Sequence, residues 1–100
     1  DEILAVEGID VFFLARVDLS KSLGYGGDKR HPQVRATVDR LIARIQAAGR
    51  HAGAAGDYDQ VSDVVRQGVR LVFVGTKDLL APGARTYLEN VASAHAGRSA

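Results

Sequence analysis

Asp18 is the residue with the clearest chemical prospect. It lies three positions after the apolar run at 9–15 (IDVFFLA), just beyond the carboxyl end of what reads as a buried strand. That is where α/β folds gather ligands and catalytic groups. A carboxylate there, beside backbone N–H groups opened by a turn, would hold a hard divalent cation through oxygen. The ordinary alternative is a loop or capping Asp, and spacing alone favours it. The three histidines, His31, His51 and His95, have no metal spacing such as i, i+4 on a helix and read as surface or capping residues. Ser20 and Ser22 lack a G-x-S-x-G elbow, so nothing supports a serine hydrolase.

Two phosphate-like stretches are turns instead. GYGGDK at 24–29 breaks the Walker spacing and does not join a strand directly to a helix start. VGTKD at 74–78 is similar to a guanine-reading loop, but its acid comes one residue early and no phosphate loop supports it.

The elements that position these residues follow from periodicity. The run at 9–15 is continuous, β-branched and aromatic, as in a strand buried on both faces of a parallel sheet. Residues 16–30 form a polar, glycine-rich loop in which Asp18, Ser20 and Ser22 would start a short helical turn. Pro32 suits a first helical position, with His31 or Asp28 near the cap. Val34, Val38, Leu41, Ile42 and Ile45 then draw one apolar stripe on a helix stopped at Gly49.

The small-residue run HAGAA at 51–55 is a poor strand by composition, yet its place between two helical patterns predicts a short buried one with room for a close neighbour. A helix capped by Asp57 and carrying Val61, Val64 and Val65 is expected to run to Gln67, before a strand at 69–74. Residues 77–96 complete the pattern as a helix with Leu80, Ala84, Leu88 and Val91 on one face, weakened near its start by Pro82 and Gly83. Strands alternating with helices at this spacing predict parallel β-α-β units with right-handed crossovers. Three strands with both edges open would be an unusually small and adhesive sheet.

Composition bounds the remaining classes. One hundred residues with 46% hydrophobic and 25% charged content make one small globular unit. Thirteen basic and twelve acidic residues leave +1, so nothing electrostatically demands nucleic acid. No apolar run approaches the ~20 residues of a membrane span, and the acidic start DEILAVEG is unlike a signal peptide. The chain contains no Cys, which excludes disulfides and thiolate metal sites. It opens without Met on what reads as the end of an element, as a piece of something larger would.

AVEGIDVFFLARVDLSKSLGY, then HPQV, LIARIQAAGR, the helix ending at Gly68 and VRLVFVG resemble, in order, the C-terminal part of the HpcH/HpaI aldolase/citrate lyase family. The nearest branch is the metal-dependent class II pyruvate aldolases, and the most specific stretch is Phe12 to Leu23. The resemblance covers nearly the whole chain. It implies α/β architecture in which residues 1–100 supply the last three strands and helices of a (β/α)8 TIM-type barrel. It further implies a cytoplasmic lyase that interconverts a 2-oxo acid with pyruvate and an aldehyde.

By that resemblance, Asp18 is one of two carboxylate ligands of a divalent metal, Mg²⁺ or Mn²⁺ first and Co²⁺ next. The amides of Val17 and Asp18 would hold the pyruvate carboxylate. The family's general-base His, carboxylate-binding Arg and first metal-binding Glu belong upstream of Asp1, so no catalytic residue is assigned here and the isolated chain is expected to be inactive. The usual Gly-Pro pair is Ala15-Arg16 in this sequence, and an Arg at the rim would contact substrate or alter its access. The last helix is expected to pack against another copy, or the chain against the N-terminal part of a barrel. The alternative function is non-catalytic, a truncated or domain-swapped fragment acting in self-association.

Overall fold

The computed structural model describes residues 1–98. In chain order the elements are β1 (Val11–Leu14), α1 (Arg16–Ser22), α2 (Pro32–Ala47), β2 (His51–Ala55), α3 (Val61–Arg66), β3 (Leu71–Phe73) and α4 (Thr76–Ala96). The strands form one parallel sheet in the order β1-β2-β3, as the alternating pattern requires.

The central strand is the one whose composition argues against it. Its small residues let the neighbouring layers come close. Ala52 and Ala54 face α2 and are 1% and 0% exposed, packed with Val34, Val38, Ile42 and Ile45 of α2, Val64 of α3 and Val69. On the other face, Gly53 pairs in register with Phe13 and Leu71. A Cβ there would meet Val11 Cγ1 at 2.9 Å and Phe13 Cδ2 at 3.1 Å. Phe13 and Phe73 therefore meet edge-to-face across β2, with centroids 6.3 Å apart. That face has no cover: Phe13, Leu71 and Phe73 are 45%, 50% and 59% exposed. The outer edges of β1 and β3 are also unpaired among the described residues.

α2 begins on Pro32, with His31 Nδ1 accepting from the Gln33 amide at 3.1 Å. It ends in a Schellman arrangement, Arg50 N–H to Ile45 O at 3.1 Å, for which Gly49 takes φ +73°. The turn delivers Arg50 to the amino end of β2. Its guanidinium donates to the carbonyls of Leu4 at 2.6 Å and Ile9 at 2.7 Å. It also reaches Val6 O at 3.2 Å and lies 4.7 Å from the Phe12 ring centroid. One side chain thus clasps the segment preceding β1.

Replacing Arg50 by Ala is expected to cost about 2–3 kcal/mol, because hydrogen bonds involving a charged partner are worth more than neutral ones. Lys should recover little, since a single ammonium lacks the planar fork that spans these carbonyls. Urea midpoints of the three proteins measure this; an unchanged midpoint for Arg50→Ala would refute the clasp.

Several boundaries differ from the sequence reading. The loop at 16–30 contains a true helix, α1, closed by Leu19 N–H to Ala15 O at 2.9 Å and by Ser20 Oγ donating to Val17 O at 2.6 Å. α3 starts at Val61, not Asp57, because the Asp57 carboxylate is engaged by cations and does not cap. α4 runs through Pro82, which has no N–H for its second turn, and none of its described residues is buried.

Candidate functional site

β1, β2 and β3 end on the same side of the sheet, and the segments that follow them close around a cavity of about 240 Å³. Phe13 and Phe73 form its apolar floor, and Ala15 to Val17 one wall. Arg16, Lys29, Asp57 and Asp78 are its charged residues. It is the carboxyl-end crevice where parallel α/β sheets place their chemistry.

Val17 and Asp18 are the second and third residues of α1. Their amides precede Leu19, whose N–H makes the first i→i−4 bond of α1, to Ala15 O, so both lack an intrahelical acceptor. Val17 lines the cavity. Asp18, the next residue of α1, is exposed, with no hydrogen bond or ion pair among the described residues. Of the two residues singled out by sequence, Val17 lines the crevice, and Asp18 follows it in α1 without being part of the lining.

Arg16 departs from expectation. An arginine presented at the rim would stay hydrated, whereas this residue is 8% exposed and turns behind the sheet. It lines both the crevice and a second cavity between α2 and α3. Burial pushes its guanidinium below the usual arginine range, opposed by the charges of Asp39 and Asp57 and reinforced by Arg35.

Asp57 was read only as a helix cap, yet it follows β2 as Asp18 follows β1. The same strand-end position would have marked it. Its Oδ2 accepts from Arg30 Nη2 at 3.2 Å and lies 3.8 Å from Lys29 Nζ, while Oδ1 is buried with no partner. Asp78 is in the first turn of α4, and its Oδ2 is 3.2 Å from where a Gly75 Cβ would stand. His51 opens β2 and His95 lies in the last turn of α4, both away from the crevice; His31 caps α2. Among the described residues no three His, Cys, Asp or Glu side chains gather into a cation site. Asp18 fits a metal as a single free oxygen donor, and further donors would come from outside them.

Parallel β/α units with a crevice at the strand ends define a segment of a TIM-type barrel. The chain belongs to the HpcH/HpaI aldolase/citrate lyase family, whose profile matches residues 1–82. It is 43% identical over 81 residues to the 2-keto-3-deoxy-L-rhamnonate aldolase of Escherichia coli K12, an alignment covering 80% of this chain and 30% of that protein. Among solved structures it resembles an HpcH/HpaI aldolase/citrate lyase family protein from Burkholderia cenocepacia J2315. The TM-score is 0.78 at 33% identity, over 89% of this chain and 35% of that one. The citrate synthase SbnG matches with TM-score 0.76 at 25% identity, over 94% of this chain and 39% of its own. The chain spans about a third of the length of these relatives. No helix among the described residues is long and apolar enough to cross a membrane.

Proposed function

We propose that residues 1–100 supply the last three β/α units of a (β/α)8 lyase that cleaves a 2-oxo acid to pyruvate and an aldehyde by retro-aldol chemistry. What supports this reading is that α1 starts just after β1 with two amides, of Val17 and Asp18, that have no hydrogen-bond acceptor among the described residues, next to the exposed Asp18 carboxylate. Two amides at a helix start are suited to a substrate carboxylate. The Asp18 carboxylate suits a hard divalent cation, Mg²⁺ or Mn²⁺ before Co²⁺. Such a cation, when bound, supplies Lewis-acid polarisation of the 2-oxo group. In this division of labour Val17 and Asp18 orient the acid end of the substrate. Phe13 and Phe73 exclude water from the floor, and the proton is moved by a base outside these residues.

The uncovered inner face and open strand edges support a chain completed by further strands, whether from the same polypeptide or a partner. The stripe on α4, where Leu80, Leu88 and Val91 are 65%, 64% and 51% exposed, supports packing of that helix against another copy.

The experiment is a chimera. Residues 1–82 replace the matching segment of the E. coli 2-keto-3-deoxy-L-rhamnonate aldolase, and pyruvate release is followed while divalent metal is titrated. The expected result is metal-dependent release by the chimera and none by the isolated chain, which should also elute as more than a monomer. A folded chimera that releases no pyruvate at any metal concentration overturns the catalytic reading, and a monodisperse monomer overturns the assembly reading.

A further inference from the structure

The helix side of the sheet holds a second, differently built cavity. It is about 210 Å³ in volume, lies between α2 and α3, and is lined by Arg16, Arg35, Asp39, Gln60, Asp63 and Arg66 among others. Its charges are unevenly matched. Asp63 serves two arginines, with Oδ1 3.2 Å from Arg66 Nη1 and Oδ2 4.0 Å from Arg35 Nη2. Asp39 accepts from Gln67 Nε2 at 2.8 Å. Arg16 makes no ion pair within 4 Å among the described residues, although the Asp39 and Asp57 charges act on it from farther away; it is 8% exposed and its Nε is buried without an acceptor. A buried donor-only group is rarely left unpaired.

We propose that this cavity is a binding site for a small oxyanion of the phosphate class, with Arg16 as its buried anchor and Arg35 and Arg66 as its outer donors. The chemistry selects the ligand. Three guanidinium groups face two carboxylates: Asp63 is shared by Arg35 and Arg66, Asp39 is held through Oδ1 by the neutral Gln67 amide, and Gln67 Oε1 is a buried acceptor without a partner among the described residues. A cation would meet the excess positive charge, and an apolar molecule would leave the Arg16 Nε–H orphaned. An oxyanion satisfies that donor and offsets the surplus guanidinium at once. The Gln60 side-chain amide, also in the wall, can add a neutral hydrogen bond. The site is distinct from the crevice but shares Arg16 with it, and Arg16 immediately precedes the amides of Val17 and Asp18. The proposal does not depend on the aldol reading.

The test is NMR of the arginine Nε–H resonances of the full chain, with inorganic phosphate titrated at constant ionic strength against a chloride control. Phosphate should shift the Arg16 Nε–H saturably, and chloride should not. Arg66→Gln, at an exposed position that leaves the fold alone, should weaken binding about threefold. Arg16→Met should weaken it more than about tenfold, as expected for a desolvated charge-assisted contact. Should Arg16→Met fail to fold, Arg35→Gln and Arg66→Gln decide the question on the wild-type Arg16 signal. An unshifted Arg16 Nε–H, an equal response to chloride, or undiminished affinity in both outer variants would overturn the proposal.

Discussion

Replacing Asp18 by Asn in the chimeric aldolase is expected to lower pyruvate release more than about 100-fold at limiting metal, since groups that merely support a ligand are worth about 10–100-fold. Excess metal should restore part of the loss. The substitution keeps size and shape but exchanges a charged oxygen donor for a neutral one. Stability should hardly change, because the side chain is exposed and makes no hydrogen bond or ion pair among the described residues. What the fold gives up is an acid in the first turn of α1, worth about 0.3–1 kcal/mol at a helix start. Activity and urea stability measured on the same two proteins separate the roles. If release is equal at every metal concentration, Asp18 is only a first-turn acid.

Gly53→Val should be the most disruptive single substitution on the inner face. Propensity alone argues the other way, because Val is preferred over Gly in strands on a scale spanning about 1 kcal/mol. Sterics decide it. The first added atom would lie 2.9 Å from Val11 Cγ1, 3.1 Å from Phe13 Cδ2 and 3.4 Å from Leu71 Cβ, before the branched methyl groups are considered. Ala should cost about 1–3 kcal/mol, the usual range for overpacking, and Val more. The Phe13–Phe73 edge-to-face contact should break at the same time. Urea unfolding gives the first quantity and ring-to-ring NOEs the second. A Val variant of native stability with the rings still in contact would show that the sheet can open at no cost.

The elements that sequence placed well are those whose signal is periodic. The α2 stripe is intrinsic to the helix, and four of its five predicted residues, Val34, Val38, Ile42 and Ile45, are buried. β2 was legible from its position although Ala and Gly are weak strand formers. Its reason for existing is tertiary, a central place with a neighbour on each side. The strands lie within the apolar runs at 9–15 and 69–74, whose ends are not legible because such runs do not reveal where a pairing partner stops. Pairing with β2 limits them to Val11–Leu14 and Leu71–Phe73, and beyond the first of these Ile9 gives its carbonyl to Arg50.

α1 is legible in the sequence only as a short helical turn around Asp18, Ser20 and Ser22, because Asp and Ser compete for backbone hydrogen bonds and usually mark turns. Asp18 and Val17 could be picked out from their strand-end position and the family pattern. Asp57 holds the same kind of strand-end position after β2 and is open to the same reasoning, whereas the burial of Arg16 is not, since it depends on helices distant in sequence.

Pro82 makes α4 a lever. The helix is anchored where it leaves β3, and the amide missing from its second turn softens the bend there. Fourteen residues lie beyond it, a shaft of about 21 Å at 1.5 Å per residue. A kink of about 20° at Pro82 would therefore swing the far end by roughly 7 Å. The position of the exposed Leu88 and Val91 thus depends on one turn of backbone at residues 78–82.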